Sequence, residues 1–397
     1  MSTNKNVDSG RYDESELRSM LSEQIQEQMY QEASGEGYRE GMKSSDEAAS
    51  AMEVKRKRKG KKKHKGLKCL LIVLLVFTAV GAFLIGTKPG RQLIYSAAGK
   101  YVFQEVLRDD EAIAVMNQHS AGEIVGRKEK GVVNYLLFGI EEINGAKNTD
   151  SMMIASVNFA KKEIKLVSLM RDSYVEVPGW KSTKLNAAYA KGGASLLIST
   201  IEANYKIHID GYAFVNFESF EAIVDSIGNI TIELGEKEAK YLNKTNYISN
   251  PKYRNVKPGI NQLNGNQVLG YCRVRKVATL GGVNNDYGRT LRQRRALSAI
   301  FDKVKTLNII AMFSTASECM GYVTTSLTSS QISDLIELVV EERITQIDTL
   351  RLPVDGMFRD PKSYKGTTYP LVYDWEDNID ELYKFIYGEG SSDTIKE

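Results

Sequence analysis

The sequence predicts an α/β domain with helices on both faces of its sheet, preceded by one transmembrane helix and a largely disordered tail. Three observations lead to this prediction. Strand-like and helix-like segments alternate from Val132 onward, a pattern that packs most naturally as a sheet covered by helices. Cys69 to Thr87 form an apolar stretch of 19 residues without a charge. Residues 1–50 are polar and acidic with few aromatic side chains, so they bury too little apolar surface to offset chain entropy.

The composition disfavours several kinds of functional site. The chain has 397 residues, a net charge of +3, three cysteines and three histidines. The cysteines show neither a disulfide framework nor zinc-ligand spacing, and the histidines are isolated from one another in the sequence. A Ser-His-Asp catalytic site and a His-rich metal site are therefore disfavoured. Arginines and aspartates remain as the candidate catalytic and ligand-binding residues.

The apolar segment predicts a retained membrane anchor. A helix of this length spans the ~30 Å hydrocarbon core at about 1.5 Å per residue, whereas a cleaved signal peptide begins within the first ~20 residues. The basic run at 55–65 outweighs Lys88 and Arg91 beyond the segment, so the positive-inside rule places the N-terminus in the cytoplasm. We therefore predict a cytoplasmic tail at 1–66, a transmembrane helix at 67–87, an extracellular helical stalk at 88–131 and an extracellular catalytic domain at 132–390.

Periodicity and turn residues place the elements of the domain in chain order. Strands are predicted at 132–138, 151–158, 163–170, 212–216 and 230–234. Helices are predicted at 194–205, 217–227, 264–271 and 288–306, and Gly228 ends the second of them. Residues 235–262, which are rich in Tyr and Asn, are predicted to form a polar loop.

The short turn at 159–162 predicts the register of a hairpin. If Asn158 faces Glu163, then Asp150 faces Arg171, and Asp172 lies one residue beyond. Two carboxylates and a guanidinium at a strand edge can hold a divalent cation and a phosphate oxygen together. An ordinary ion pair at the base of the hairpin is the simpler interpretation of this group taken alone.

A second basic cluster favours an anion-binding site over an ordinary ion pair. Arg273 and Arg275 are two residues apart, and in an extended segment such residues project to the same face. The helix that follows Asp286 carries Arg289, Arg292 and Gln293 on one face. Clustered cations repel unless an anion lies between them, and pyrophosphate suits bidentate arginine contacts. A solvated basic helix is one alternative, and a nucleic-acid surface is another that conflicts with the predicted external topology.

Seven ordered motifs resemble the LytR-CpsA-Psr (LCP) family over about residues 132–306, and together they are far more specific than any one alone. They are Thr149–Met153, Ser168–Ser173, Lys184–Tyr189, Val215–Phe217, Leu263–Gln267, Tyr271–Arg275 and Asp286–Gln293. Weaker similarity follows at 351–356 and 375–378. The resemblance implies an LCP-like α-β-α domain with a mixed central β-sheet flanked by helices on both faces.

The resemblance also implies an activity. LCP enzymes are phosphotransferases that attach a polyprenyl-pyrophosphate-linked glycopolymer, such as teichoic acid or capsule, to a sugar hydroxyl of peptidoglycan. The lipid tail of the donor would lie in an apolar groove between sheet and helices. The membrane anchor would keep the domain close to this donor, and no nucleic acid is expected as a partner.

Carried over by motif, the resemblance implies roles for individual residues. The expected catalytic residues are Asp150, Arg171, Asp172 and Arg289. The expected pyrophosphate ligands are Arg171, Lys184, Arg273, Arg275, Arg289 and Gln293, to which the shared helix face adds Arg292. The expected ligands of Mg²⁺ (or Mn²⁺) are Asp150, Asp172, Glu141 and Asp286.

Two positions depart from the family's pattern. Asn148 stands where the family commonly has arginine, which removes a phosphate contact. Glu141 stands where the family commonly has aspartate. Glutamate still binds a hard cation, so the second change alters the geometry of the site without abolishing it. Cys272 replaces a small residue and is interpreted as a packing residue.

Other functions fit much the same residues. A non-catalytic sensor or regulator would bind polyprenyl phosphates without transferring anything. A lipid pyrophosphatase would use similar arginines and carboxylates. A DNA-binding regulator would need the basic run at 55–65 as its binding element. The sequence leaves open which glycopolymer is transferred, whether Asp150 or Asp172 removes the hydroxyl proton, and the oligomeric state.

Overall fold

The structure is a computed structural model that describes residues 78–110, 112–114, 126–143, 146–341, 344 and 347–388. It divides into two units, Met1–Val80 and Gly81–Glu397, and the second holds all the elements discussed below. The predicted tail at 1–66 and most of the predicted transmembrane segment lie outside the described residues, while residues 78–86 are helical. Within the described ranges, no helix combines the length and apolar character needed to cross a membrane.

The secondary structure runs in chain order as follows. The helices are α1 Lys88–Gln104, α2 Asn186–Tyr205, α3 Phe217–Ile227, α4 Glu236–Lys244, α5 Gly265–Arg273, α6 Asn285–Lys305, α7 Ile309–Met320, α8 Ser329–Glu341 and α9 Trp375–Tyr387. The longer strands are β1 Val132–Ile143, β2 Ala146–Asn158, β3 Glu163–Leu169, β6 Gly211–Asn216, β7 Ile230–Leu234, β8 Gly259–Leu263 and β10 Ile347–Leu352. Two-residue strands are β4 Tyr174–Val175, β5 Thr183–Lys184, β9 Thr324–Thr325, β11 Phe358–Arg359, β12 Ser363–Tyr364, β13 Thr367–Thr368 and β14 Val372–Tyr373.

A mixed six-stranded sheet forms the centre of the domain, in the order β10-β3-β2-β1-β6-β9. Strands β1, β2 and β3 are antiparallel neighbours, whereas β6 is parallel to β1 and β10 is parallel to β3. The predicted mixed central sheet is therefore confirmed. Asn158 pairs with Glu163 as predicted, and the same register continues to Met152 opposite Leu169.

Alternate residues of the central strands face two different cores, because successive side chains of a strand point to opposite faces. Leu136 and Ile154 belong to a core that includes α2 and α9. Tyr135 and Ala155 belong to a core on the other face that includes α1 and α8. Helices therefore cover both faces of the sheet. The segment predicted as a stalk contributes to the domain, since Val102 of α1 is buried in the second core.

A third core orders the segment that carries most of the arginines. It joins the antiparallel strand pair β7–β8 to helices α3, α4 and α5 through buried residues such as Val224, Leu242 and Val268. Ala296 of α6 is buried in the same core. Helix α6 also contacts β3 and β10 of the central sheet, so it connects this core to the sheet.

Helix α2, helix α4 and strand β8 differ from the sequence prediction, and most of β8 lies in the segment predicted to be a polar loop. Helix α4 occupies part of the region predicted to be a polar loop, because the Glu238 carboxylate accepts a hydrogen bond from Gly235 N at 2.9 Å and starts the helix. Its apolar stripe is short, with Ala239 and Leu242 buried, so it gives little periodic signal. Helix α2 begins at Asn186, ahead of the predicted start, and its non-helical Gly192 and Gly193 interrupt the pattern.

Candidate active site

An apolar cavity of about 620 Å³ opens between the sheet and helices α3, α6 and α7. Its walls include Leu137 and Met153 from the sheet and Ile223, Leu297 and Met320 from the helices. Polar and charged residues complete the lining toward the end of β1, and they include Glu141, Asp150, Ser151, Arg273, Arg275, Lys276, Arg289 and Gln293. Such a cavity fits a molecule with a long apolar tail and an anionic head.

Three arginines and two aspartates form one ion-pair network at this charged region. Asp150 contacts Arg171 Nη1 at 2.8 Å, Arg275 Nη2 at 3.1 Å and Arg289 Nη1 at 3.2 Å. Asp286 contacts the same three guanidiniums through Arg171 Nε at 2.9 Å, Arg275 Nε at 3.2 Å and Arg289 Nη2 at 3.4 Å. Three cations face two anions, so the network carries one excess positive charge and favours an additional anion.

Distant parts of the sequence supply these residues. Asp150 lies in β2, and Arg171 follows the end of β3, so the hairpin register brings them together as predicted. Helix α6 presents Asp286 and Arg289 in its first two turns. Arg273 ends helix α5, so the prediction of an extended segment there is wrong. The chain becomes extended only at Val274, yet Arg273 and Arg275 both line the cavity.

The network controls the protonation of its members. Burial opposes ionisation of Asp150, but the guanidiniums of Arg289, Arg171 and Arg275 outweigh this effect and hold the pKa of Asp150 below its ordinary value. Burial lowers the pKa of Arg289 to about 10 against the attraction of Asp286 and Asp150. At neutral pH the aspartate is therefore ionised and the arginine protonated, so both remain charged without substrate.

The model of the LytR_cpsA_psr family matches residues 98–378. The chain belongs to the LytR-CpsA-Psr family. This confirms the resemblance seen in the sequence.

Individual relatives of this LytR-CpsA-Psr chain extend the comparison. Regulatory protein MsrR of Staphylococcus aureus is 31% identical over 207 residues, which cover 52% of this chain and 59% of MsrR. The match therefore spans less than two thirds of MsrR. The polyisoprenyl-teichoic acid–peptidoglycan teichoic acid transferase TagU of Bacillus anthracis is 28% identical over 309 residues, covering 76% of this chain and 93% of TagU. The crystal structure of Bacillus subtilis TagV shares the fold with a TM-score of 0.51 and 26% identity, covering 65% of this chain and 98% of TagV.

Glu141 and Asn148, the two residues that depart from the LytR-CpsA-Psr pattern, face each other in the structure. Glu141 of β1 pairs with Asn148 of β2, and side chains at directly opposed positions are neighbours on one face. Arg273 Nη2 contacts Glu141 Oε1 at 3.3 Å. Burial and the nearby carboxylate of Asp150 raise the pKa of Glu141 above its ordinary value, against the pull of Arg273. Asparagine at position 148 brings no charge to offset the acid opposite it.

The four predicted metal ligands do not form one group. Asp172 contacts Lys184 Nζ at 2.8 Å and Arg171 Nε at 3.6 Å, while Asp286 is surrounded by arginines. Among the described residues, no three Asp, Glu, His or Cys side chains are grouped in a way that could hold a metal ion. Within the predicted set, Glu141 and Asp150 are neighbours, because, besides burial, the Asp150 carboxylate raises the pKa of Glu141.

Two of the predicted pyrophosphate ligands lie beside the arginine network. Gln293 lines the cavity, and its Oε1 accepts a hydrogen bond from Ser151 Oγ at 3.1 Å. Lys184 lies in β5 and reaches the network through Asp172. Both side chains are half-buried.

The prediction that Arg292 binds pyrophosphate is wrong. Its side chain is 0% exposed, and its Nε contacts Glu238 Oε1 at 2.7 Å. Its two remaining nitrogens donate to Val274 O at 3.0 Å and Val277 O at 2.9 Å. Because a helix turns about 100° per residue, Arg292 lies about 60° from Arg289 on the side away from Gln293. Arg292 instead secures the segment that carries Arg275.

Three residues near the site were missed in the sequence. Ser151 and Phe217 lie within the family motifs, so the motifs gave a signal for both. The Phe217 ring centroid lies 4.6 Å from the Arg273 guanidinium carbon, which positions this arginine by a cation–π contact. Glu238 gave no signal, since its segment was predicted to be a loop.

Proposed function

We propose that this chain is a phosphotransferase that attaches a polyprenyl-pyrophosphate-linked glycopolymer to peptidoglycan. The observation that carries the proposal is the continuity between the apolar cavity and the arginine network. A polyprenyl tail suits the first part and a diphosphate suits the second. The name of TagU, which describes transfer of teichoic acid to peptidoglycan, supports the proposal.

The network suits the chemistry of this transfer. A peptidoglycan hydroxyl attacks the phosphorus that carries the glycopolymer, a new P–O bond forms, and the P–O bond to the lipid phosphate breaks. Arg171, Arg275 and Arg289 face the charge that develops on the phosphoryl group and on the departing lipid phosphate. Their contacts with Asp150 and Asp286 hold the guanidiniums in place before the substrate binds. The lowered pKa of Asp150 makes it a poor acceptor for the hydroxyl proton.

The donor class is testable by native mass spectrometry of the detergent-solubilised full chain. We expect a co-purified polyprenyl phosphate, and we expect Ile223→Trp to lose it, because the larger side chain fills the apolar cavity. Ile310→Trp is the matched control, since Ile310 of α7 is 78% exposed. Transfer from a synthetic lipid-linked donor is expected to fall with the lipid signal.

Each alternative function predicts a different result in that experiment. Bound lipid without transfer to peptidoglycan indicates a sensor. Release of lipid monophosphate without any acceptor indicates a pyrophosphatase. Wild-type protein with no bound lipid and no transfer contradicts the proposal.

We further propose that Mg²⁺ or Mn²⁺ binds at Glu141 and Asp150. The environment of Glu141 supports this, because burial and the neighbouring Asp150 carboxylate raise the pKa of Glu141, and a cation beside these two carboxylates would offset their repulsion. When bound, the metal would neutralise charge on the pyrophosphate oxygens.

Metal dependence is expected to weaken in a Glu141 variant. EDTA should lower wild-type transfer by roughly two orders of magnitude, since a Lewis acid supplies several kcal/mol. Glu141→Gln should raise the Mg²⁺ concentration that restores half of the activity. Glu218→Gln, at an exposed position of α3, is the control. If both variants need the same Mg²⁺ concentration to restore half of the activity, Glu141 is not a metal ligand.

We also propose a single-pass membrane protein with a cytoplasmic N-terminus and an external domain. The uncharged stretch at 69–87 and the basic run at 55–65 support it. Outside the membrane there is no nucleotide-sugar pool, so a lipid pyrophosphate would bring the energy for transfer. Protease added to intact cells should digest residues 88–397, with lysed cells as the control. Full protection of residues 88–397 in intact cells would indicate the opposite topology, with the domain in the cytoplasm.

A further inference from the structure

The charged network extends beyond the lipid cavity. From Arg171 it continues to Asp172 at 3.6 Å and on to Lys184 at 2.8 Å, and none of these three residues lines the cavity. In phosphoryl transfer the attacking and leaving oxygens lie roughly in line across phosphorus. If the lipid phosphate leaves toward the cavity, as the proposed function requires, the acceptor sugar approaches from the opposite side. The first sugar of the donor also extends away from the lipid.

Aromatic residues lie where this extension ends. Tyr174 pairs with Lys184 in the β4–β5 ladder. Its ring packs edge-on against Tyr364 of β12, with centroids 5.1 Å apart and an interplanar angle of 89°. Leu371 joins the two segments, since its N donates to Asp172 O and its O accepts from Tyr174 N, both at 2.8 Å. The hairpin β12–β13 is therefore attached directly to the catalytic region.

A third tyrosine follows this hairpin in a strained conformation. Tyr369 has φ 48°, in the left-handed region that favours glycine. Its N donates to Lys362 O at 2.9 Å, which holds the backbone in place, while its side chain is 67% exposed. Packing therefore does not account for the strain, and strained backbone of this kind is concentrated at functional sites. Lys365 lies at the hairpin tip, with Nζ 5.4 Å from the Tyr364 ring centroid.

We propose that Tyr174, Tyr364 and Tyr369 form a sugar-binding surface, the tyrosine shelf, on the side of the active site opposite the lipid cavity. Aromatic rings offer an apolar face to the C–H groups of a pyranose, and their hydroxyls form hydrogen bonds at the ring edge. Lys365 and Lys184 add positive charge for a phosphate or carboxylate on the same glycan. The bound sugar belongs either to the peptidoglycan acceptor or to the head of the donor. The proposal rests on the proposed function for its orientation.

Direct binding tests the shelf without requiring transfer. Saturation-transfer NMR on the full chain in detergent would use two soluble probes. The first is a tetrasaccharide of alternating N-acetylglucosamine and N-acetylmuramic acid, which represents the acceptor. The second is a disaccharide 1-phosphate, which represents the donor head. Tyr364→Ala and Tyr369→Ala should weaken binding of one probe by about tenfold, the effect of losing one aromatic contact.

Matched variants separate stacking from folding. Tyr364→Phe and Tyr369→Phe keep the rings and should bind nearly as the wild type does. Tyr101→Ala removes an exposed tyrosine from α1 and should change nothing. Loss of the tetrasaccharide signal identifies an acceptor site, and loss of the phosphodisaccharide signal identifies a donor site. The proposal that the tyrosine shelf binds sugar would be contradicted if the wild-type protein bound neither probe. It would also be contradicted if the alanine variants bound both probes with wild-type affinity. Failure of the proposed function would instead appear as absent transfer with sugar binding intact.

Discussion

Arg289→Ala is expected to lower glycopolymer transfer by roughly two to three orders of magnitude, the effect of removing one preorganised donor from a developing charge. The Arg289 side chain is 3% exposed and contacts both Asp150 and Asp286. Its loss leaves two cations facing two anions, so the network no longer carries excess positive charge for the pyrophosphate. Arg289→Lys should recover part of the activity, because an ammonium keeps the charge but not the two-sided contact.

The measurement is transfer from a lipid-linked donor to purified peptidoglycan, with thermal unfolding followed in parallel. Arg295→Ala is the matched control, since Arg295 lies on the same helix and its Nη2 donates to Leu280 O outside the network. The control should retain wild-type transfer. Wild-type rates in a folded Arg289→Ala protein would show that the arginine network is not the catalytic site.

Breaking the Arg292–Glu238 pair is expected to cost about 3–5 kcal/mol of unfolding free energy, because removing one partner leaves a buried charge without compensation. The two side chains are 0% and 1% exposed. Arg292→Met and Glu238→Leu should each destabilise the domain. The double variant should be more stable than either single one, since it leaves no unpaired charge and can pack against the third core.

Denaturant unfolding of all three variants measures this coupling. Affinity for a fluorescent polyprenyl phosphate, measured on the folded fraction, provides the second readout. It should fall less in the double variant than in Arg289→Ala, because Arg292 holds the segment that carries Arg275 through Val274 O and Val277 O and does not line the cavity. A stable Arg292→Met protein that loses the lipid as completely as Arg289→Ala would restore the pyrophosphate role predicted from the sequence.

Local sequence was sufficient for several features of the site. The turn at 159–162 is short, so the register that brings Asp150 beside Arg171 follows from residues close to the turn. Arg273, Arg275, Arg289 and Gln293 were identified from motifs, and they converge on the cavity as expected. In these cases neighbours in the sequence, or the order of the motifs, carry the necessary information.

The sequence by itself determined the family, the mixed α/β class, the hairpin register and most of the arginines of the site. The tertiary structure alone decided which cations remain available to a substrate. Arg289 and Arg292 lie only about 60° apart around helix α6, yet only Arg292 meets the buried Glu238, which belongs to a separate helix. The tyrosine shelf likewise depends on backbone bonds between Leu371 and the segment Asp172–Tyr174. Burial and charge pairing are set by segments far apart in the chain, and local periodicity contains no information about them.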